Sequence, residues 1–261
     1  MAIEVHTISQ VSGSTFARLD RILLANLVNV ANAKGDGGIA TVPVASAGAG
    51  YTTIPTVAIA GTGALGAGSG AAATAVMKVV SATIAAGGSG YTNGAQVLTG
   101  TTGTGTKVQV NVTVAGGIVT AITGIAVAGA YTVLPTLAGE ATTGPAGTGA
   151  TLNLVMGVAS ITVGTAGSGY PDLTSTATLS GGTPTTAAVL GIPTITSANG
   201  APSKTHIAFK DMPPLYGVNI TPSQQCQTAV LNKLSTGFDI VLYPPSGSAL
   251  AAGTFDALVV A

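Results

Sequence analysis

The residues best suited to chemistry in this chain are few, and each can be tried against a mechanism. Gly61-Thr62-Gly63-Ala64-Leu65-Gly66 follows an apolar run and has GxGxxG spacing. In a dinucleotide site that loop turns a strand into a helix beneath a pyrophosphate, with an acid about 20 residues on for the ribose. The following segment ends KVVSATI with no acid there, so the loop is read as a turn. Gly100 to Lys107, GTTGTGTK, approximates a phosphate loop, but Thr106 separates the last glycine from Lys107 at the start of a strand. It too reads as a turn. His6 and His206 are the only histidines, and neither adjoins an Asp, Glu or Cys cluster. Zinc sites want three or four clustered ligands, so solvated or hydrogen-bonded histidines are expected and no metal. The single Cys226 allows no internal disulfide and is read as an inert thiol. Neither a serine-nucleophile elbow nor HExxH occurs, and no spacing among the eight acids pairs two of them. The expectation is a protein that is not an enzyme, with no catalytic, metal or cofactor-binding residue.

Composition points the same way. Charged residues are 6% of the 261, against roughly 25% in an ordinary soluble domain. A mean hydropathy of +0.59 with so little charge is the opposite of a disordered chain. Glycine has no three-residue period, which excludes collagen. Eight basic and eight acidic residues cancel and are scattered singly, leaving no basic patch for a nucleic acid. Between Gly35 and Ser203 the only charges are Asp36, Lys78, Lys107, Glu140 and Asp172. A surface that neutral associates, so much of it is expected to be covered by other copies or other proteins. RLDRILLANLVNVANAK mimics a signal peptide, but its apolar run begins at residue 22, follows Glu4 and Asp20, and is interrupted by Asn26 and Asn29. None is expected. Residues 37 to 77 are uncharged, as a membrane span would be, but Gly, Thr and Pro punctuate them every few residues, so no membrane span is expected either.

The elements that would position such a chain fall into three regions. Residues 1–35 form an arm in which STFARLDRILLANLVNVANAKG is read as a helix, capped by Ser14 or Thr15 and closed by Gly35. Phe16, Leu19, Leu23, Leu27 and Val30 follow three-and-four spacing, a stripe for packing on the chain's own domain or docking on a neighbouring subunit. Residues 36–200 are a Gly/Ala/Thr-rich array. Tyr51, Tyr91, Tyr131 and Tyr170 recur at 40, 40 and 39 residues, each after Gly-x or Ala-x motifs and before a short strand. KVQVNVTV and ATLNLVMG alternate at period two and predict strands with one buried face. Pro55 and Pro135, four residues after their tyrosines, mark strand starts or edges. The tyrosines are read as plugs at the corners of stacked β units whose faces bury one another. Residues 201–261 form a small C-terminal β domain of sandwich type, too small to be secure without partners. The fold class is therefore all-β: roughly 40-residue β repeats, a small C-terminal sandwich-like domain and one short N-terminal helix.

The units GAGYTTIPTVAIAGTGALGAGSGAAATAVMKV and GGSGYTNGAQVLTG resemble repeats of tailed-bacteriophage virion proteins, such as head-decoration, head-fibre and tail-fibre components. The ending NKLSTGFDIVLYPPSGSALAAGTFDALVVA is similar to the closing strands of small β domains in such proteins. The resemblance implies a structural protein of the virion, a capsid decoration or head-fibre protein on the capsid surface. Its implied partners are itself, as a homotrimer, and the major capsid protein or other virion proteins, with neither nucleic acid nor membrane. A tail fibre or receptor-binding subunit, and a bacterial surface adhesin module, are the alternatives.

Overall fold

A computed structural model describes residues 23–64, 66–209, 212–213 and 215–260. In the described residues the chain is all-β, built from curled antiparallel sheets. The first strands are β1 (Leu23–Asn32), β2 (Gly37–Thr41), β3 (Val44–Ser46), β4 (Thr56–Ala60), β5 (Thr62–Gly63) and β6 (Gly66–Ala67). The long β7 (Ser69–Ser89) follows, then β8 (Gly94–Gly100), β9 (Thr104–Thr106), β10 (Gln109–Ala115) and β11 (Ile118–Val127). After these come β12 (Ala130–Val133), β13 (Glu140–Thr143), a second long strand β14 (Thr148–Ser168), β15 (Thr176–Ser180), β16 (Val189–Leu190) and β17 (Thr194–Ser197). The last five are β18 (Ser203–Ala208), β19 (Gly217–Pro222), β20 (Gln227–Leu234), β21 (Gly237–Tyr243) and β22 (Gly253–Val260).

The repeat array does not stack unit upon neighbouring unit. It folds back on itself around the Gly116–Gly117 turn between β10 and β11, so that early strands pair with late ones. β2 pairs with β17, β3 with β16, β4 with β15 and β7 with β14 along its whole length, Ser69 opposite Ser168 and Ser89 opposite Thr148. Both long strands have 21 residues, and Thr148 lies 79 residues after Ser69. That offset relates two similar halves.

In the distal half the sheet runs β11-β10-β8-β13-β14-β7 and curls until β11 returns to β7, where Val79 N donates to Ala128 O at 2.8 Å. In the basal half β14 meets β2 and β3 in the same way, and Val158 N donates to Ala47 O at 2.8 Å. Two small barrels thus share β7 and β14. The distal one closes with the β10–β11 turn; at the corresponding place in the basal one, β2 and β17 lead to the residues beyond the array. The interior comes directly from the period-two pattern: Val108, Val110, Val112 and Val114 are at most 3% exposed, while Gln109, Asn111 and Thr113 face outward. Burying each valine contributes about 1.5–3 kcal/mol, which is what holds β10 in register.

All four tyrosines are buried, and each ring lies where a glycine leaves room for it. Tyr51 covers Gly182 and Tyr131 covers Gly103; Tyr91 covers Gly147 and Tyr170 covers Gly68. A Cβ on any of these glycines would fall 2.5–2.9 Å from a ring carbon, too close for any other residue without displacing the ring. Pro55 and Pro135 are buried at matching places in the two halves, Pro55 immediately before β4.

Beyond the array, β1-β22-β19 and β18-β21-β20 form two three-stranded sheets around a second core of Leu27, Phe238, Ile240, Leu242, Phe255 and Val259. Of the expected N-terminal helix, Phe16 and Leu19 lie outside the described residues, and from Leu23 to Asn32 the chain is a strand instead. A bulge explains the misleading spacing. Leu27 pairs with Ala257 and Val30 with Phe255, three residues against two, with Asn29 at φ 54°. The extra residue puts Leu27 and Val30 on the same face, as a helix would, and both pack into the second core.

Candidate docking surface

Of the two histidines, His6 lies outside the described residues and His206 is engaged within the protein. His206 stands on β18, its Nδ1 2.7 Å from Asp239 Oδ1 on β21, and Asn232 Nδ2 donates to Asp239 Oδ2 at 2.8 Å. Burial pushes the Asp239 carboxyl up, but the hydrogen bonds from Asn232 and His206 and the positive charge of Lys204 and His206 outweigh it. The carboxyl is held below its ordinary range. Ser203 is on the same strand, three residues away and so on the opposite face, with its Oγ buried and without a hydrogen-bond partner among the described residues. No serine–histidine pair forms. Burial pushes the Cys226 thiol up, which disfavours the reactive thiolate.

The sign of the Asp239 shift gives a prediction. A carboxyl whose folded pKa is depressed stabilises the fold above its unfolded value, and that stability is lost as pH falls through the folded value. The melting temperature of the wild type should therefore fall as pH drops below about 4. Asp239→Asn should start less stable at pH 6 and show a flatter profile over the same interval. Parallel profiles would show that the Asn232 and His206 contacts do not stabilise the ionised form.

The two glycine-rich loops do bind a carboxylate through backbone N–H groups, and in both the carboxylate is the chain's own. After β4, strands β5 and β6 make a tight hairpin in place of a helix, and Ala64 N donates to Asp36 Oδ2. In the Gly100–Lys107 loop, Thr101 N and Thr102 N donate to Glu140 Oε1 at 2.7 Å each, and Thr102 Oγ1 donates to Oε2. Lys107 Nζ donates to the Thr102 carbonyl at 2.9 Å and to that of Gly103. Residue types at loop spacing did not reveal these acids. Their isolation could have done so, since Asp36 and Glu140 are two of only five charges in a long neutral stretch.

That use of charge shapes the surface. Asp36 and Glu140 are buried, and Lys78, Lys107 and Asp172 are half-buried, so none of the array's five charges is fully exposed. A cleft of about 420 Å³ between Asp36, Thr62–Ala64 and Pro171–Thr174 on one side and Ser203–His206 on the other carries Lys34 and Lys204. Among the described residues no three His, Cys, Asp or Glu side chains come together as a metal site. Large apolar side chains are exposed on the array, among them Val133 and Ile192, and beyond it Leu215, Leu231 and Leu234. The arrangement suits contact with other protein surfaces better than binding of a charged ligand. No family model, curated protein or solved structure matches the chain.

Proposed function

We propose that this chain is a non-enzymatic structural protein of a tailed-bacteriophage virion, a capsid decoration or head-fibre protein that stabilises or projects from the shell. The observation that carries this reading is a double barrel with no fully exposed charge, joined to a small sandwich with exposed leucines. Surfaces of that kind fit a protein present in many copies and packed against its neighbours, where burial replaces charge as the means of staying ordered. The resemblance of the Gly-x-Tyr units to virion repeats supplies the location, the capsid surface. In this reading the chain associates with itself as a homotrimer and with the major capsid protein or other virion proteins. It binds neither nucleic acid nor membrane, and the sandwich docks while the double barrel bridges or projects. A shell-bound partner would stabilise the assembled particle by mass action.

The test is copy number in purified DNA-filled particles, by quantitative mass spectrometry against the major shell protein. A count comparable to the shell subunits is expected. A few trimers per particle would move the protein to a tail fibre or receptor-binding role, and absence from particles would overturn the virion reading.

A further inference from the structure

The sandwich has two different sides. β1 lies against β18 on one of them. On the other, the outer strands β19 and β20 are joined by only four residues, Ser223–Cys226. Packed sheets are about 10 Å apart, so a link that short keeps the two outer strands side by side. Among the described residues neither β19 nor β20 pairs with a further strand. Two bare edges therefore lie together on one side of the sandwich.

Soluble proteins normally guard such edges with charge, proline or strong bulges. β19 has no charged residue, and its proline stands at its last position. β20 has one charge, Lys233, and that lysine is turned back on its own chain. Its Nζ donates to Tyr216 O at 3.2 Å and stands 5.6 Å from the centre of the Tyr216 ring. The Tyr216 hydroxyl in turn donates to Leu234 O at 3.0 Å, which holds the segment with Leu215 beside the end of β20. Leu215 is 83% exposed, Leu234 62% and Leu231 45%. An edge guarded only at its end, by the bulge between Leu231 and Leu234 and by Pro222, and flanked by three bare leucines is a surface built to be covered.

We propose that this side of the sandwich is the interface between copies of this chain, with β20 pairing edge to edge with β19 of one neighbour and β19 with β20 of another, so that three copies close a ring. The absence of charge favours a second copy of this chain over a charged partner. The straight part of β20, Gln227–Leu231, and all of β19 are uncharged, so identical copies meet there without like charges facing one another. A strongly acidic or basic partner would find nothing complementary. Pairing along both edges closes this side of the sandwich, leaving neither β19 nor β20 open. The inference deepens the self-association in the reading above and is independent of the virion.

The experiment is sedimentation velocity on the full chain, comparing wild type with the double variant Leu231→Lys and Leu234→Lys. Both side chains are exposed, so near-UV circular dichroism should be unchanged and the melting temperature should fall only by what assembly contributes. The wild type should sediment as a multiple of 24.9 kDa, and the variant should dissociate at least tenfold more readily. Val133→Lys, an exposed change on the double barrel, should leave assembly intact. A wild type that assembles while the folded double variant assembles equally well overturns this interface but not self-association. A monomeric wild type overturns both. Should the variant misfold, hydrogen exchange on the wild type decides: Gln227–Leu231 amides should slow with protein concentration, and concentration-independent exchange overturns the proposal.

Discussion

Tyr131→Ala should lower the stability of the chain by about 3–5 kcal/mol, the range for removing a fully buried aromatic ring. The ring is 0% exposed, covers Gly103, and stands on β12 where that strand meets Met77 of the long β7. Nothing nearby can fill the space, because glycine lies beneath the ring and the long strand cannot shift without breaking register with β14. The hydroxyl adds a second, separable contribution. It accepts a hydrogen bond from Val108 N at 2.6 Å, at the start of the valine-lined β10 strand. Tyr131→Phe keeps the ring but leaves that buried N–H unpaired, which costs about 1–3 kcal/mol. Burial, and to a lesser extent the nearby Glu140, pushes the phenol up, although the Val108 hydrogen bond opposes them. With a raised folded pKa, this stability is present below the unfolded value and lost as pH rises through the folded one. The wild type should weaken above about pH 10, and Tyr131→Phe should weaken less. Urea midpoints across that range measure both effects. An alanine variant within about 1 kcal/mol of wild type would mean that the corner collapses around the loss.

How much of this was legible in the sequence differs from element to element. The alternating run KVQVNVTV, residues 107–114, predicts a strand and supplies β10, Gln109–Ala115. Val108 to Val114 alternate with polar residues, and a period-two pattern in β-branched residues leaves little choice of element or face. Connectivity was not legible from the 40-residue tyrosine period, because that period is a property of the units and not of their arrangement. Tyr51 and Tyr131 meet the middle of the long strands, at Met156 and Met77, whereas Tyr170 exchanges both backbone hydrogen bonds with Gly37 and Tyr91 N donates to Gly117 O. Similar sequences thus occupy two kinds of corner. One signal was present. From Gly70 to Tyr91 and from Gly149 to Tyr170 the chain advances 21 residues, but from Gly105 to Tyr131 it advances 26. Those five residues make the Gly116–Gly117 turn, where the array reverses while its sister units run straight.

The strand at Leu23–Asn32 shows the opposite difficulty. Three-and-four spacing of Leu23, Leu27 and Val30 is what a helix needs, but a bulged strand gives the same spacing. Asn26, Asn29 and Asn32 were the residues against the helix, since asparagine is a poor helix former and tolerates the left-handed backbone that Asn29 adopts. The cross-strand partner, FDALVV at the chain's end, decides the outcome, and nothing local to residues 23–32 reports its presence. Asp36 and Glu140 stayed hidden for the same reason. Each acts on a loop 28 or more residues away in sequence.

Glu140→Leu should destabilise the distal barrel by about 3–5 kcal/mol, because a side chain of similar size would leave three donors facing an apolar group. Glu140 is 0% exposed and supplies the acceptors for Thr101 N, Thr102 N and Thr102 Oγ1. The loop is held on its other face by Lys107, whose ammonium takes the Thr102 and Gly103 carbonyls. With the carboxylate gone, the amides cannot turn to water without releasing those carbonyls, so the loop should open as a unit. Glu140→Gln separates shape from charge. Its amide oxygen can still accept from both N–H groups, so it should cost about 1–2 kcal/mol, the difference between a charge-assisted and a neutral hydrogen bond. Hydrogen exchange gives the location. In Glu140→Leu, protection should fall first at Thr101–Gly103 and along β8 and β13, which pair through Thr142 and Gly100, while the sandwich core around Phe238 keeps its protection. Equal stability of the leucine and glutamine variants would mean that the loop does not depend on the carboxylate. Loss of protection throughout the chain at once would mean that the two barrels and the sandwich unfold as one unit.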